Sequence, residues 1–413
     1  MGRPGIKVPT RVCIECKGAR RLCGLPKCPL LVSARARLRL GIKLSNGLLD
    51  GSSPPSVIVG EEGYPRVRVY LGVPPNTYGL SARIYDSPKD WHLRLGLTDI
   101  IELRSNLVYA SLGIDVRRPE VLYEREVGLA GVSLKPVTME AELIKPPKAV
   151  ITFNPYLPPR GPSSPASKVR VVENPSLSRK LESLIWDDVK ASEAVWELFI
   201  SGEEFYNIVR ALTLGFLGRR VGRRAVPTRW GVTAVDSILT NKMLRFVRAS
   251  PPLSSVKVYY SKYLHNKYTV VIAPGKYSSV WIEVWRPHSL WNPSSNPSVL
   301  IVRDDFRGVP NLMDGGFLAA REAVVEYLWS IGRQGRVVIL REVEPQYIYP
   351  VGNWQIRMTV AHALRRGEVL KDPTPNELRE FISRVHEVPK EVTDYVIKEV
   401  YGIKYKPLNH FTK

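Results

Sequence analysis

Cys13-Ile14-Glu15-Cys16, followed by Cys23 and then by Cys28-Pro29, is the stretch from which the fold prediction starts. All four cysteines of this chain of 413 residues fall between residues 13 and 28. Cysteines that only fill a core would be scattered, whereas the spacing C-x2-C-x6-C-x4-C brings four thiols close together. Four thiolates with an opening C-x2-C form a tetrahedral zinc site. The stretch therefore predicts one structural Zn²⁺ bound by Cys13, Cys16, Cys23 and Cys28.

Three other states of these thiols stay open. They are an iron–sulfur cluster, although the ferredoxin spacings differ from this one, a pair of disulfides, and unrelated free thiols. Residues 1–11 contain no apolar stretch like that of a signal peptide, and no run of 18 apolar residues occurs in the chain. A cytoplasmic location with no membrane partner is therefore expected, and reduced cytosolic thiols favour metal over disulfide.

The charge balance points to a polyanionic partner. Lys and Arg number 60 against 39 Asp and Glu, which gives a formal net charge of +21. Such an excess favours nucleic acid, although a generally basic proteome is an alternative. The chain contains only three glutamines but 34 prolines, and this composition is typical of thermophile proteins.

Working outward from the cysteines, the patterns predict an α+β protein with an N-terminal zinc knuckle, a strand-rich first part and a mixed α/β second part. The boundaries are a C4-type zinc finger at 8–32, a strand-rich domain at 33–153, a Pro-rich stretch at 154–167, an α/β domain with a basic loop at 168–404, and a tail at 405–413. The Pro-rich stretch is interpreted as a linker or, alternatively, as a long surface loop within one domain.

Hydrophobic periodicity gives the individual elements. Strands are predicted at 66–71, 121–124, 138–144, 149–153, 256–260, 268–273, 280–285, 299–303 and 336–342. Helices are predicted at 177–200 (as one or two), 203–217, 233–248, 316–331, 354–366, 375–386 and 390–401. A capping-box-like pair, Thr233 and Asp236, is the expected start of the helix that reaches Arg248. Gly402 stands where a C-cap glycine would end the last helix.

The segment 217–230 holds the strongest candidate for a nucleic-acid contact. Five arginines fall in eleven residues there, and the planar guanidinium fork suits phosphate oxygens. The predicted DNA-binding residues are Arg219, Arg220, Arg223, Arg224, Arg229 and Trp230. A solvated basic loop is the alternative. Trp281, Trp285 and Trp291 are candidates for base stacking, or otherwise core residues.

Familiar catalytic motifs are absent from the sequence: no phosphate-binding loop, no H-E-x-x-H and no deaminase signature occurs. The remaining candidates are carboxylates that would have to converge on Mg²⁺. They are Asp236, Asp304, Asp305 and Asp314, and for each one a capping or turn role is the competing interpretation.

Four segments together resemble a known family. They are the four-cysteine knuckle, the block Val226-Pro-Thr-Arg-Trp-Gly-Val-Thr-Ala-Val-Asp236, the block Trp285-Arg-Pro-His-Ser-Leu-Trp-Asn-Pro293 and the tail. This combination resembles the archaeal DNA repair proteins called Nre, over essentially the whole chain. The resemblance implies a C4-type zinc finger at the four cysteines, a role in repairing DNA damage, and a C-terminal motif for the archaeal sliding clamp.

The clamp motif carries over onto Tyr405, Leu408 and Phe411. Tyr405 stands where the motif has glutamine, and Thr412 stands where a second aromatic residue often occurs. The family implies no settled reaction, so an enzyme and an adaptor both stay open.

The prediction is a DNA damage repair protein that binds DNA and is recruited by the sliding clamp. One alternative is a metal-dependent nuclease or other DNA-processing enzyme that uses the aspartates. A second alternative is an RNA-binding protein, because charge and aromatic residues do not distinguish the two polymers.

Overall fold

The structure, a computed structural model, describes residues 10–25, 28–36, 47–148, 150–305 and 307–402. Its contacts divide the chain into two compact units. We call Arg37–Leu239 the contiguous unit. Met1–Ala36 together with Thr240–Lys413 form the discontinuous unit.

Two helices precede the first sheet, α1 (Thr10–Cys16) and α2 (Pro29–Ala36), and both belong to the discontinuous unit. The contiguous unit then forms a six-stranded sheet in the order β1-β5-β6-β4-β3-β2. Its pairs are antiparallel except for β4 and β6, which run parallel. The strands are β1 (Leu48–Ser53), β2 (Ser56–Val59), β3 (Arg66–Val73), β4 (Val108–Asp115), β5 (Val137–Leu143) and β6 (Ser163–Val171).

The helices of the contiguous unit are short, apart from the last. They are a 3-10 helix (Gly79–Asp86), α3 (Pro88–Trp91), α4 (Leu97–Ser105), α5 (Glu120–Tyr123), α6 (Glu126–Ala130), α7 (Arg179–Trp186), α8 (Ala191–Ile200), α9 (Phe205–Thr213), a second 3-10 helix (Arg220–Gly222) and α10 (Thr228–Ala249). Gly231 of α10 lies so close to α9 that an added Cβ would stand 2.2 Å from the Thr213 methyl group. The division between the units falls within α10, after Leu239.

The Pro-rich stretch is packed into the contiguous unit. The side chain of Arg104 donates to the carbonyl of Pro159 at 2.7 Å, and the Tyr109 amide donates to Pro162 at 2.8 Å. A Cβ on Gly161 would stand 2.1 Å from the Leu107 carbonyl oxygen. The following residues form β6, between β5 and β4. The structure therefore divides the chain elsewhere than the sequence prediction does, and residues 154–167 form a loop and strand within one unit.

The discontinuous unit contains the second six-stranded sheet, in the order β10-β9-β11-β8-β7-β12. Only β9 and β11 pair in parallel. Its strands are β7 (Lys257–Tyr263), β8 (Asn266–Ala273), β9 (Ser278–Trp285), β10 (Ser298–Arg303), β11 (Arg336–Val343) and β12 (Leu370–Lys371). Every residue of β8 is buried, as expected for a central strand that is covered on both faces.

Four helices complete this unit: α11 (Gly315–Ser330), α12 (Trp354–Arg366), α13 (Pro375–Val385) and α14 (Lys390–Tyr401). Helices α13 and α14 bury Leu378, Phe381 and Val396 against one face of β7, β8, β9 and β11. The tyrosine hydroxyls of β7 and β8 that point to the other face bond to Tyr327 of α11 and Gln355 of α12. The sheet is therefore sandwiched between two helix pairs.

The α+β class is confirmed, with strands and helices in both units. Predicted elements from β7 to α14 are recovered within a few residues, and 177–200 forms two helices, α7 and α8. Gly402 ends α14 with a left-handed φ of 70°. No helix among the described residues is long and apolar enough to cross a membrane.

Two predicted strands and one predicted helix start are wrong. Residues 120–123 are helical rather than a strand, because Pro119 already has a helical φ of −67° and its carbonyl accepts from the Leu122 amide at 2.8 Å. Thr152 makes an isolated bridge to Arg160 instead of belonging to a strand. Helix α10 begins at Thr228, before the predicted start, and the Thr233 hydroxyl donates to the Trp230 carbonyl rather than capping the helix.

Candidate functional site

The four thiols line a single pocket of about 170 Å³. Cys13 and Cys16 lie three residues apart at the end of α1, and Cys28 precedes α2. Gly18 lies beneath them with φ of 72°, where a Cβ would stand 2.8 Å from Leu31 and 3.3 Å from Trp291. Burial raises the pKa of the Cys13 thiol, and the neighbouring thiolates of Cys28, Cys16 and Cys23 raise it further. The four cysteines of the knuckle sequence thus lie around one pocket.

These four sulfurs suit Zn²⁺ by their chemistry and their number. All four are free cysteines, none in a disulfide. Among the described residues, however, no three His, Cys, Asp or Glu side chains are grouped closely enough to hold a metal ion. The four cysteines therefore line one pocket without forming a metal-coordinating group among the described residues.

Lys17, the residue after Cys16, connects this segment to the discontinuous unit through ion pairs with Glu283 of its sheet and with Asp314. Its ammonium lies 2.8 Å from a Glu283 carboxylate oxygen in β9 and 2.7 Å from one of Asp314. Burial alone would lower the pKa of Lys17, but Asp314 and Glu283 outweigh it and raise that pKa. Arg341 of β11 donates to the other Glu283 oxygen at 2.5 Å and to Asn266. We call Lys17, Glu283, Asp314, Arg341 and Asn266 the lysine network.

A second buried network lies on the opposite face of the same sheet. His386 contacts Glu342 through Nδ1 at 3.0 Å and Thr269 through Nε2 at 2.7 Å. Lys267 also approaches Glu342, at 3.3 Å. Burial lowers the pKa of His386 although Glu342 acts to raise it. Burial opposes ionisation of Glu342, but the hydrogen bond from His386 and the nearby charges lower its pKa below the usual value.

The predicted basic loop divides into buried and exposed arginines. Arg223 is only 5% exposed. Its guanidinium donates to the carbonyls of Gly218, Ile185 and Asp187. These bonds satisfy main-chain acceptors at the end of α7 and in the loop that contains Arg223. Burial is the main reason that the pKa of Arg223 is lowered. Because its donors bond to main-chain oxygens, Arg223 holds the loop together and does not face a ligand.

Arg219, Arg220 and Arg224 are exposed. Arg220 is partly engaged, since its amide bonds to Asp188 and its guanidinium donates to the Trp186 carbonyl at 2.6 Å. The surface of this loop therefore offers the cationic groups of Arg219 and Arg224, with that of Arg220 beside them. Of the four loop arginines at 219, 220, 223 and 224, these three are the ones that lie at the surface.

Arg229 lies in a different setting, on a pocket of about 320 Å³ within the contiguous unit. The arginine pocket, as we call it, has walls from the end of β2, from β3, from the Pro-rich loop and from the start of α10. Its charged residues are Arg66, Arg68, Arg160, Arg229, Glu61 and Glu62. The carboxylate of Glu61 pairs with Arg229 at 2.8 Å. The cations thus exceed the carboxylates in this pocket.

Trp230, next to Arg229, is 43% exposed and lies against Tyr64, which is 48% exposed. Their ring centroids are 5.7 Å apart. Half-exposed aromatic rings near arginines are the kind of surface that single-strand-binding proteins offer to bases. The strand tryptophans differ, because Trp281, Trp285 and Trp291 are almost completely buried and belong to the core.

Each candidate aspartate has a structural setting of its own. Asp304 pairs with Arg321 at 2.8 Å, and Asp305 accepts from the amides of Arg307 and Val309 in a turn. Asp314 is the N-cap of α11 and accepts from the Phe317 amide. Asp236 is completely buried in α10 and belongs to the contiguous unit. The three aspartates of the discontinuous unit are thus engaged by arginine, lysine or backbone groups.

Sequence reasoning missed the pocket residue Arg160, and it included Arg66 and Arg68 in the predicted strand 66–71 without assigning them a role. The alternation over 66–70 held the signal for the strand arginines. The clamp-motif residues Tyr405, Leu408 and Phe411 lie outside the described residues.

The fold and these sites define a two-unit α+β protein with an arginine-lined pocket and a gathered four-cysteine cluster. The model of the family "Archaeal Nre, N-terminal" matches residues 22–292, and that of "Archaeal Nre, C-terminal" matches residues 304–410. The chain belongs to the archaeal Nre family. No solved structure matches it.

Three relatives are named DNA repair proteins. NreB of Archaeoglobus fulgidus is 34% identical over 84% of this chain and 86% of its own length. NreA of the same organism is 33% identical over 86% of this chain and 88% of its own length. NreA of Haloferax volcanii is 29% identical over 76% of this chain and 78% of its own length.

Proposed function

We propose that this protein acts in DNA repair by binding DNA through the contiguous unit. The single observation that carries the proposal is the arginine pocket with the exposed Tyr64–Trp230 pair beside it. Arginine forks bind phosphate and exposed rings stack on bases, so the surface combines the two contacts that nucleic acid needs. The relatives named above are called DNA repair proteins, which supports DNA as the polymer, and the net charge of +21 supports a polyanionic partner.

Two further parts complete the proposal. Cys13, Cys16, Cys23 and Cys28 hold one structural Zn²⁺, which is supported by their lining one pocket. The tail, with Tyr405, Leu408 and Phe411, recruits the protein to the archaeal sliding clamp. An apolar residue followed three positions later by an aromatic residue supplies a hydrophobic plug for a partner pocket. DNA binding and clamp binding would then act together through effective concentration.

Binding of labelled DNA at a series of salt concentrations tests the central claim. Arg219→Ala and Arg224→Ala should each weaken binding to all sequences, and removal of one phosphate interaction should reduce the salt slope by about 0.7–0.9. Trp230→Ala should weaken single-stranded DNA more than duplex, because unpaired bases can stack. Lys371→Ala, on the edge strand of the discontinuous unit, is the matched control. Unchanged affinity and slope in the folded arginine variants, together with unchanged binding of single-stranded DNA by Trp230→Ala, would contradict the proposal.

Duplex RNA and DNA of the same sequence belong in the same experiment. The RNA-binding alternative gains support if RNA binds more tightly, since the 2′-hydroxyl is what separates the two polymers.

A further inference from the structure

We propose that the arginine pocket binds a nucleotide phosphomonoester, either as the phosphorylated end of a DNA strand or as a free mononucleotide. This inference rests on the proposed function, because it names the part of DNA that the same unit recognises. A phosphomonoester differs from the internal phosphodiesters of DNA in its charge and in its accessibility, and the pocket suits it in both respects.

The shape of the site is the first argument. A pocket of about 320 Å³ is at the lower end of the size range for small-molecule sites. The phosphates of a continuous duplex lie along a convex surface and contact flat or grooved protein surfaces. A concave site of this size admits a single terminal nucleotide instead. The half-exposed Trp230, directly after Arg229, is then placed to stack on an adjoining base.

The charge of the site is the second argument. Four arginines and two glutamates line the pocket, and one of those glutamates, Glu61, is paired with Arg229. A phosphomonoester carries about −1.5 to −2 at neutral pH, whereas a diester carries a single charge. The excess of cations therefore suits a monoester better than a diester. The N-terminus of α10, which begins at Thr228, adds a positive partial charge at the same wall.

The third argument concerns Arg160. Its guanidinium carbon lies 3.8 Å from the centroid of the Tyr70 ring, so the plane of the fork is held by stacking. One Nη donates to the Thr152 hydroxyl at 3.4 Å, which is a long contact. Among the described residues, the buried Nε atoms of Arg160 and Arg229 have no hydrogen-bond partner. A buried donor without a partner is costly, so both of these pocket arginines have donor capacity that the protein itself leaves unused.

A competition experiment with the full chain tests the proposal. The probes are one short single-stranded oligonucleotide with a 5′-phosphate, the same oligonucleotide with a 3′-phosphate, and the version with hydroxyls at both ends. At least one phosphorylated form should bind about tenfold more tightly than the hydroxyl form, which is 1.4 kcal/mol. Free deoxynucleoside monophosphate should displace it, and deoxynucleoside should not.

Two pocket variants and two control variants decide where the preference arises. Arg160→Lys keeps the charge but removes the fork, and Arg68→Ala removes an exposed side chain whose loss leaves the sheet intact. Both should reduce the preference for the phosphorylated end at least fivefold. Arg219→Ala and Arg224→Ala lie outside the pocket lining and should weaken all three oligonucleotides equally.

Equal binding of phosphorylated and hydroxyl ends by the unaltered protein, with no displacement by deoxynucleoside monophosphate, would overturn the proposal. A preference that survives both Arg160→Lys and Arg68→Ala would overturn it as well. Failure of the proposed function looks different. In that case no oligonucleotide binds, but deoxynucleoside monophosphate still displaces a fluorescent mononucleotide from the protein. If Arg160→Lys abolishes this displacement, the result supports the pocket and identifies the free nucleotide as its ligand.

Discussion

The lysine network of the discontinuous unit and the arginine pocket of the contiguous unit use charged side chains in opposite ways. In the discontinuous unit, Lys17 and Arg341 are buried against Glu283 and Asp314, so cations and carboxylates satisfy one another within the protein. In the contiguous unit, the arginine pocket is open to a ligand and holds more cations than carboxylates. A net charge therefore says little about binding until burial and pairing are known. The first arrangement stabilises the fold, and the second leaves an excess of positive charge at an open pocket.

Metal removal should give the largest effect, and it should be confined to one unit. Purified protein should contain one zinc per chain, with Zn–S distances of about 2.3 Å by X-ray absorption. Removal of the zinc by a chelator should then lower the free energy of unfolding by several kcal/mol, since zinc binding contributes about 10–16 kcal/mol to the folding of isolated finger peptides. Hydrogen exchange should show weaker protection in α1 and β10, while β3 and α9 keep theirs. Absence of metal, or a disulfide among the four cysteines, would contradict the zinc site.

Lys17→Ala should give the next largest loss, because it leaves Glu283 and Asp314 buried beside each other with one cation fewer. Removing one partner of a buried ion pair costs about 3–5 kcal/mol. Urea denaturation of the variant measures this loss. Lys262→Ala is the matched control, since its ion pair with Glu344 is 47% exposed on the lysine side and should contribute less than about 1 kcal/mol. Similar small losses in both variants would mean that the lysine network is not a stabilising unit.

Arg223→Ala and Arg224→Ala separate a structural arginine from a binding arginine in adjacent positions. Arg223→Ala should cost about 2–3 kcal/mol of folding free energy, because it leaves three main-chain carbonyls without their charged donor. Arg224→Ala should change stability by less than about 0.5 kcal/mol and weaken DNA binding. The reverse pattern, with DNA binding abolished only in a stable Arg223→Ala variant, would contradict this division.

Protonation of His386 should make the discontinuous unit less stable in mild acid. The pKa of His386 is lowered from 6.5 in the folded state, so below pH 6.5 the unfolded chain binds a proton that the folded protein excludes. The contribution of neutral His386 to the free energy of unfolding is present above pH 6.5 and is lost as the pH falls toward the pKa of His386 in the folded protein. The pKa of Glu342 lies below 4.5, so that carboxylate adds its own loss only at lower pH.

Stability measured from pH 7 to pH 4.5 should therefore fall, with at most about 1.4 kcal/mol per pH unit from this one proton. His386→Gln should flatten that slope. His362→Gln is the control, because His362 is only partly buried although its pKa is also lowered. An identical slope in the His386→Gln variant would show that another group causes the acid sensitivity.

The sequence predicted local features better than long-range ones, for physical reasons. Alternation over β3 and helical periodicity over α13 and α14 depend on neighbours a few residues away, so these elements were found. Pro-rich residues resemble a linker in composition, but Arg104 and Gly161 hold them inside the contiguous unit through partners far along the chain.

The same limit explains the site. Arg223 and Arg224 are identical in a sequence pattern, and only the position of α7 decides which of them is buried. Arg160 joins Arg66 and Arg68 because β3 and the Pro-rich loop meet in the fold. The four cysteines could be recognised as a group because they are neighbours in sequence, whereas the arginine pocket combines four separate segments.

Deleting residues 405–413 should have the smallest effect on folding and a large effect on one partner. Both buried networks and the arginine pocket consist of residues before 402, so stability should change by less than about 0.5 kcal/mol. Leu408 and Phe411 would each gain about 1.5–3 kcal/mol by burial in a clamp pocket, less the cost of ordering the segment, which gives micromolar affinity. Co-elution with the archaeal sliding clamp should therefore disappear, both in the deletion and in Leu408→Ala/Phe411→Ala, while binding of short DNA persists. Clamp binding that survives the deletion would end the proposal, and a large loss of stability would show instead that these residues pack on their own unit.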